Sequence, residues 1–154
     1  EARCVLLAMV NTGARPSELA ALTRDQIRLQ AAVPHISIEP VGRQMKSRNA
    51  RRVIPLTGVS LKAMAQNPDG FPQYLNSSAT LSGTANKYLR ANGPLETPEH
   101  SLYGLRHSFE DRMLAAGIDE RIRRDLLGHA LGRERYGDGG SLANVQKLLQ
   151  RLAL

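Results

Sequence analysis

Apolar residues recur at intervals of three or four positions along most of the chain, and this spacing is typical of amphipathic helices that bury one face. Two shorter runs are alternating or β-branched, which favours strands, and a basic segment connects them. The sequence therefore predicts a mostly helical α+β fold with one small antiparallel sheet. The predicted strands are residues 35–40 and 51–56, and the predicted helices are residues 1–10, 16–27, 57–66, 80–93, 102–116, 119–128 and 141–152.

The turn between the first two predicted helices carries an arginine in its middle, within the stretch NTGARPSEL. Pro16 suits the first turn of a helix, and Glu18 suits the positive end of the helix dipole. The chain therefore holds Arg15 at the point where it turns. Taken alone, this pattern is more often a capped turn with a solvated arginine, so its meaning depends on the rest of the chain.

Length and composition indicate one domain with a polyanionic partner. The 154 residues are 42% hydrophobic, which is enough for a single core. Lys and Arg number 21 against 14 Asp and Glu, a net charge of +7, although charge alone does not distinguish DNA from RNA or an anionic surface. No apolar run reaches the length of a membrane span, and Cys4 is the only cysteine, which favours a reducing compartment.

Four motifs follow one another along the chain in a fixed order. They are TGARPSEL, a lysine in the basic connection GRQMKSRNARRVIPL, then LYGLRHSF, and finally LLGHALGRERYG. This order resembles the catalytic domain of the tyrosine recombinases, the phage integrase family, and the resemblance covers nearly the whole chain. Residues 1–154 are therefore expected to be a catalytic domain. Because the chain begins within a helical pattern and without Met, we expect it to be a piece that lacks an upstream DNA-binding domain.

The resemblance assigns roles to individual residues. Five would be catalytic: Arg15, Lys46, Arg106, His129 and the nucleophile Tyr136. Three would support them: Glu18 behind the first arginine, His107 after the second, and Tyr103. The basic residues expected to contact DNA are Arg43, Arg48, Arg51, Arg52, Arg133 and Arg135.

The sequence departs from the family at two places. Tyr103 stands where the family usually has His, three residues before the second arginine, and the interval from His129 to Tyr136 is slightly shorter than in the best-known members. Lys46 lies among several arginines, so its alternative role is to bind phosphate. Tyr74 and Tyr88 match no nucleophile motif.

The residue types suit the transfer of a DNA phosphate to tyrosine. Two guanidiniums can hold the oxygens on which negative charge develops, and a lysine can protonate the departing 5′ oxygen. The product would be a 3′-phosphotyrosine, whose formation requires neither metal nor ATP. One cysteine and four scattered histidines offer no zinc-binding spacing, so we expect no cofactor.

The resemblance implies a site-specific recombinase or integrase that acts on double-stranded DNA in the cytoplasm, at the prokaryotic nucleoid. Two alternatives remain: strand cleavage without recombination, as in type IB topoisomerases, and a non-catalytic DNA-binding relative, which Tyr103 keeps open. Residues 141–153 form an apolar stripe that either packs in cis or is exchanged with a neighbouring protomer on DNA. The target site, the direction of recombination and the mobile element are not encoded in any motif.

Overall fold

The computed structural model describes residues 1–39, 51–75, 77–93, 97, 99–130 and 140–154. Helices dominate this part of the chain, as predicted. They are α1 Ala2–Thr12, α2 Pro16–Ala20, α3 Gly58–Ala65, α4 Ser78–Ala91, α5 Gly104–Ala115, α6 Glu120–Leu127 and α7 Leu142–Gln150. Short 3₁₀ turns occur at Arg24–Gln26 and Pro72–Tyr74. Among the described helices, none is long and apolar enough to cross a membrane.

The small sheet has three antiparallel strands in the order β1 Ile27–Arg28, β2 His35–Ile38 and β3 Arg52–Pro55. Ile36 in the central strand pairs with Ile27 on one side and Ile54 on the other. Ile36 and Ile54 are fully buried, so one face of the sheet belongs to the core. The predicted sheet is confirmed, with one strand more than expected.

The additional strand replaces the end of a predicted helix. We expected residues 16–27 to be helical, but α2 ends at Ala20. The backbone N–H of Thr23 donates to Oε1 of Gln26 at 3.0 Å, which stabilises a separate 3₁₀ turn, and Ile27 follows in extended conformation. Pairing with β2 satisfies the backbone of Ile27, and this tertiary contact outweighs the local helical spacing.

Helix α1 lies at the centre of the domain and packs against α2, α3, α4 and α5. It ends at Gly13, whose φ of 58° is a left-handed conformation that favours glycine. A Cβ at Gly13 would lie 2.5 Å from Cδ1 of Phe109 and 2.9 Å from Cδ2 of Leu127. The turn after α1 therefore lies directly against α5 and the end of α6, which places Arg15 close to both helices.

The C-terminal segment packs on the body of its own chain. Val145 and Leu149 of α7 are buried in the core. Beyond the helix, two polar side chains bind residues 152–154; we call Asn11 and Arg112 the tail dock. Asn11 Nδ2 donates to Leu154 O at 3.1 Å, and Arg112 Nη1 donates to Leu152 O at 3.0 Å. The described chain thus has the cis arrangement, while exchange of residues 141–153 between protomers on DNA stays a prediction.

Candidate functional site

The turn that carries Arg15 is held by the side chain of Glu18. The backbone N–H of Arg15 donates to Glu18 Oε2 at 2.7 Å, and Nη1 of the Arg15 side chain donates to Glu18 Oε1 at 3.0 Å. Arg15 itself is extended, and Pro16 starts α2 immediately after it. The Arg15 side chain is 32% exposed. No other side-chain hydrogen bond of Arg15 occurs among the described residues, so its remaining guanidinium donors are left for a ligand.

Glu18 also binds a second arginine, Arg52, at the start of β3. Arg52 Nη1 donates to Oε1 at 3.0 Å and Nη2 donates to Oε2 at 2.7 Å, a bidentate pair. Burial would raise the pKa of the Glu18 carboxyl, but the hydrogen bonds and charge of Arg52, with those of Arg15, outweigh burial and hold its pKa below the ordinary value. Glu18 is therefore ionised near neutral pH.

The position of Arg52 differs from our expectation. The sequence grouped it with the residues that contact DNA phosphate, but its side chain is only 4% exposed. Its Nε donates to the carbonyl oxygen of Leu126 at 2.7 Å, near the end of α6. Alternation along β3 explains this place, because Arg52 points to the same side as the buried Ile54, whereas Val53 is exposed. Arg51, the residue before β3, is exposed, and its contact with DNA stays a prediction.

Arg106 on α5 is buried and joins three parts of the chain. Its guanidinium donates to the carbonyl oxygens of Gly13 and Leu127, and Nη2 lies 3.0 Å from Nε2 of His129. Burial, followed by the neighbouring charges of Arg15 and Arg52, lowers the pKa of Arg106 to about 10. The side chain consequently remains a cation at neutral pH.

The turn at the end of α6 determines the position of His129. Gly128 has a left-handed φ of 68°, and the backbone N–H of His129 returns to the carbonyl of Arg124 at 2.9 Å. Burial and then the charge of Arg106 lower the pKa of His129 below its ordinary value, so the imidazole is neutral at pH 7. Because Arg106 can only donate, Nε2 is assigned as the acceptor and Nδ1 carries the proton.

Two supporting residues lie at the start of α5. Tyr103 is the residue before the helix, 44% exposed, and its carbonyl accepts from the N–H of Arg106 at 3.0 Å. Its side chain is close enough to Arg106 to influence the pKa of that guanidinium. His107 is exposed and makes no side-chain hydrogen bond to any residue that the structure describes.

Six of the predicted site residues lie outside the described residues: the general acid, the nucleophile and four of the expected DNA contacts. They are Lys46, Tyr136, Arg43, Arg48, Arg133 and Arg135. Within the described ranges, no group of His, Cys, Asp and Glu could hold a metal ion.

Five of the eight described site residues form one charged group, which we call the arginine cluster: Arg15, Glu18, Arg52, Arg106 and His129. Arg15 and Arg52 bind the single carboxylate of Glu18, and the charges of Arg15, Arg52 and Glu18 all act on Arg106, so the cluster has excess positive charge beside a partly exposed arginine. Such a site suits an anion with several oxygens, and fixed arginine donors match phosphate geometry. The sequence indicated Arg15, Arg106 and His129, but not the backbone carbonyls that orient Arg106, since carbonyls carry no signal in the sequence.

Comparisons with known proteins agree on a single family. The model of the Phage integrase family matches residues 1–134, which include Arg15, Lys46, Arg106 and His129 and end before Tyr136. Tyrosine recombinase XerC of Pelobacter propionicus is 25% identical over 83% of this chain. This chain covers 43% of that relative, so it spans less than half of its length.

Solved structures share the fold. The Tn1549 transposon integrase, in complex with transposon right end DNA, superposes with a TM-score of 0.63 at 16% identity, covering 94% of this chain and 53% of that one. The XerA recombinase superposes with a TM-score of 0.61 at 18% identity, covering 97% of this chain and 55% of that one. The helical architecture with its small sheet is therefore that of recombinase structures.

Proposed function

This chain belongs to the phage integrase family, and we propose that it is the catalytic domain of a tyrosine recombinase that cleaves and rejoins double-stranded DNA. The observation that carries the proposal is the arginine cluster, in which residues from three separate motifs meet. Arg106 contacts both the Arg15 turn and His129. A transposon integrase with the same fold was solved with DNA, which supports duplex DNA as the substrate.

Arg15 and Arg106 would bind the non-bridging oxygens of the scissile phosphate. Negative charge grows on these oxygens as the five-coordinate transition state forms, and guanidiniums that are already fixed need no rearrangement to stabilise it. The Nδ1–H of His129 is a further donor for the same phosphate. Tyr103 would donate its phenol O–H to the same phosphate.

Tyr136 would supply the nucleophile and Lys46 the general acid. The phenol of Tyr136 loses its proton to solvent water, which the positive charge of Arg133 and Arg135, its neighbours in sequence, favours, and its oxygen then forms a bond to phosphorus. The bond between phosphorus and the 5′ oxygen breaks, and Lys46 gives that oxygen a proton. The 3′-phosphotyrosine conserves the phosphodiester, so a second 5′ hydroxyl can reverse the steps and rejoin the strand without metal or ATP.

A nicked DNA duplex that traps the covalent product tests this function. The protein is incubated with labelled DNA in a chelator, and the products are separated on a denaturing gel. We expect an adduct that is absent with Tyr136→Phe, with phosphotyrosine mapped to Tyr136. Phosphotyrosine at Tyr74, Tyr88 or Tyr103 would move the nucleophile assignment to that residue.

The second candidate is a DNA-binding relative that does not cleave, and Tyr103 in place of the usual histidine favours it. Wild-type protein that shifts the mobility of DNA but gives no adduct would support this candidate. Binding should weaken steeply with salt under either function, because basic side chains release counterions from the phosphates. Relaxation of supercoiled DNA without any joining of two duplexes would instead indicate topoisomerase-like activity.

A further inference from the structure

The side chain of Arg52 is enclosed within the arginine cluster. All three nitrogens of its guanidinium have partners inside the protein: Nε binds Leu126 O, and Nη1 and Nη2 bind the two carboxylate oxygens of Glu18. Its side chain is 4% exposed, and that of Glu18 is 14% exposed. These bonds use three of the five N–H donors of the guanidinium, and the low exposure of the side chain leaves little access for a phosphate.

The Nη1 and Nη2 atoms of Arg52 influence the position of Arg15 through Glu18. Glu18 is the residue that holds the Arg15 turn, through the backbone N–H at 2.7 Å and Nη1 at 3.0 Å. Arg52 binds the same two oxygens from the other side. The carboxylate is therefore fixed between the two arginines, and its orientation depends on both.

The Arg52 side chain also contacts the end of α6, from which the chain continues to His129. Leu126 O, which accepts from Arg52, precedes the Leu127 carbonyl that accepts from Arg106. A Cβ at Gly128 would be only 2.8 Å from Nη1 of Arg52, so the Arg52 side chain fills the space beside the turn that leads to His129. Two neighbouring carbonyls at the end of α6 thus bind two different arginines.

We propose that Arg52 is a positioning residue that sets Arg15, through Glu18, at a fixed distance from the end of α6 where Arg106 and His129 bind. It does not touch DNA. This inference rests on the proposed function, since it assigns Arg52 a part in the same phosphate site. A positioning residue changes the rate of a step made by other groups, while a phosphate contact changes affinity and its dependence on salt.

The neighbouring residue Arg51 provides a matched control, because it is exposed and basic. With Arg52→Gln, the cleavage rate at saturating DNA should fall about 10- to 100-fold, since small misplacement of a reacting group has effects of this size. The slope of log affinity against log salt should stay unchanged. With Arg51→Gln, the slope should decrease by about one unit.

Conservative variants distinguish positioning from loss of folding. Arg52→Lys keeps the charge beside Glu18 but loses the planar fork that binds both carboxylate oxygens, so an intermediate rate is expected. The double variant Glu18→Gln with Arg52→Gln removes both buried charges together and leaves no unpaired carboxylate. It should fold, as judged by circular dichroism, and cleave no more slowly than Arg52→Gln alone.

A spectroscopic readout tests Arg52 independently of cleavage. In the chain without DNA, NMR would follow the carboxyl carbon of Glu18 and the ring nitrogens of His129. The charged groups facing Glu18 are Arg15, Arg52 and, from α5, Arg106. Arg52→Gln should raise the pKa of Glu18 and move the His129 resonances, whereas Arg51→Gln should change neither.

The outcomes separate the two proposals. If wild-type protein forms no adduct, the recombinase function fails while the NMR comparison still decides the role of Arg52. A lower salt slope for Arg52→Gln, with an unchanged saturated rate, would make Arg52 a phosphate contact and overturn the inference. Unchanged Glu18 and His129 resonances in Arg52→Gln would overturn it as well.

Discussion

Arg106 and Arg112 lie on the same helix and make the same kind of bond, yet they belong to different regions. Arg106 donates to Gly13 O after α1 and to Leu127 O at the end of α6. Arg112 donates to Val10 O within α1 and to Leu152 O beyond α7. Each therefore ties α5 to the C-terminal part of α1 and to a later segment of the chain.

The two regions differ in the charges around these arginines. Burial alone lowers the pKa of Arg112, and its described partners are neutral carbonyl oxygens and the amide of Asn11. At Arg106, burial acts together with the charges of Arg15 and Arg52, and His129 is a direct neighbour. A buried arginine is thus a structural connector when neutral oxygens surround it, and it becomes part of an anion site when further cations converge on it.

Substitution of the two arginines by lysine tests this difference and has the largest expected effect. Arg106→Lys keeps one charge but loses the planar fork, so the cleavage rate should fall about 10²- to 10³-fold, as when one fixed donor to a charged transition state is removed. Arg112→Lys should leave the rate at saturating DNA within about threefold of wild type, because the arginine cluster is untouched. Single-turnover cleavage measures both, and equal losses would erase the distinction.

The tail dock should contribute to stability rather than to cleavage. Asn11 is fully buried and bonds Thr57 O, Leu154 and Arg112 through its side chain. Asn11→Ala would leave these groups unsatisfied, and the free energy of unfolding should fall by about 2–3 kcal/mol. Denaturant titration measures this loss, and faster hydrogen exchange in residues 142–150 would locate it. Asn92→Ala, at an exposed amide, is the control and should change stability little.

Acid should reduce the stability that the arginine cluster contributes but not the stability that the tail dock contributes. We expect this effect to be smaller than those of Arg106→Lys and Asn11→Ala. The pKa of Glu18 is lower in the folded chain than in the unfolded chain. Its stabilisation is therefore complete above the unfolded pKa of about 4.3 and is lost as pH falls through the lower folded value. The stability difference between wild type and Glu18→Gln should shrink from pH 6 to about pH 3, while that between wild type and Asn11→Ala stays constant.

Two glycines provide the finest test of how closely the cluster is packed. Gly128 and Gly117 have nearly the same φ, 68° and 69°, so alanine has a similar backbone cost of about 1 kcal/mol at each. A Cβ at Gly117 meets nothing within 4 Å, whereas one at Gly128 would be 2.8 Å from Nη1 of Arg52. Thermal unfolding should show a larger loss for Gly128→Ala, and only this variant should cleave DNA more slowly. Equal losses of thermal stability in the two variants would mean that the Arg52 side chain moves away from residue 128 without cost.

The sequence predicts much of the fold because most elements carry their own signals. Helical spacing and turn residues located the helices, and the mostly helical fold with a small antiparallel sheet is confirmed. The strand Ile27–Arg28 was missed, since a strand of two residues has no periodicity of its own and exists through pairing with His35 and Ile36. Spacing alone assigned this segment to a helix.

The candidate site was predictable only in part. Motifs identified Arg15, Arg106 and His129, and the structure brings Arg106 to the Arg15 turn and to His129. The environment of Arg52 could not be read from its basic neighbours, because charge density favours phosphate contact whichever side of the strand a residue faces. Alternation with the buried Ile54 was the available signal. The tautomer of His129 depends on Arg106, which no local pattern encodes.

The contacts of the arginine cluster and the tail dock join residues that are far apart in the chain. Glu18 and Arg52 are 34 positions apart, Arg52 and Leu126 are 74 apart, and Gly13 and Arg106 are 93 apart. Asn11 and Leu154 are 143 positions apart. During synthesis on the ribosome, an emerging chain therefore has no assembled phosphate site until α6 is available. A copy that ends before α6 would lack the α6 carbonyl partners of Arg52 and Arg106, so the proposed phosphate site would not form.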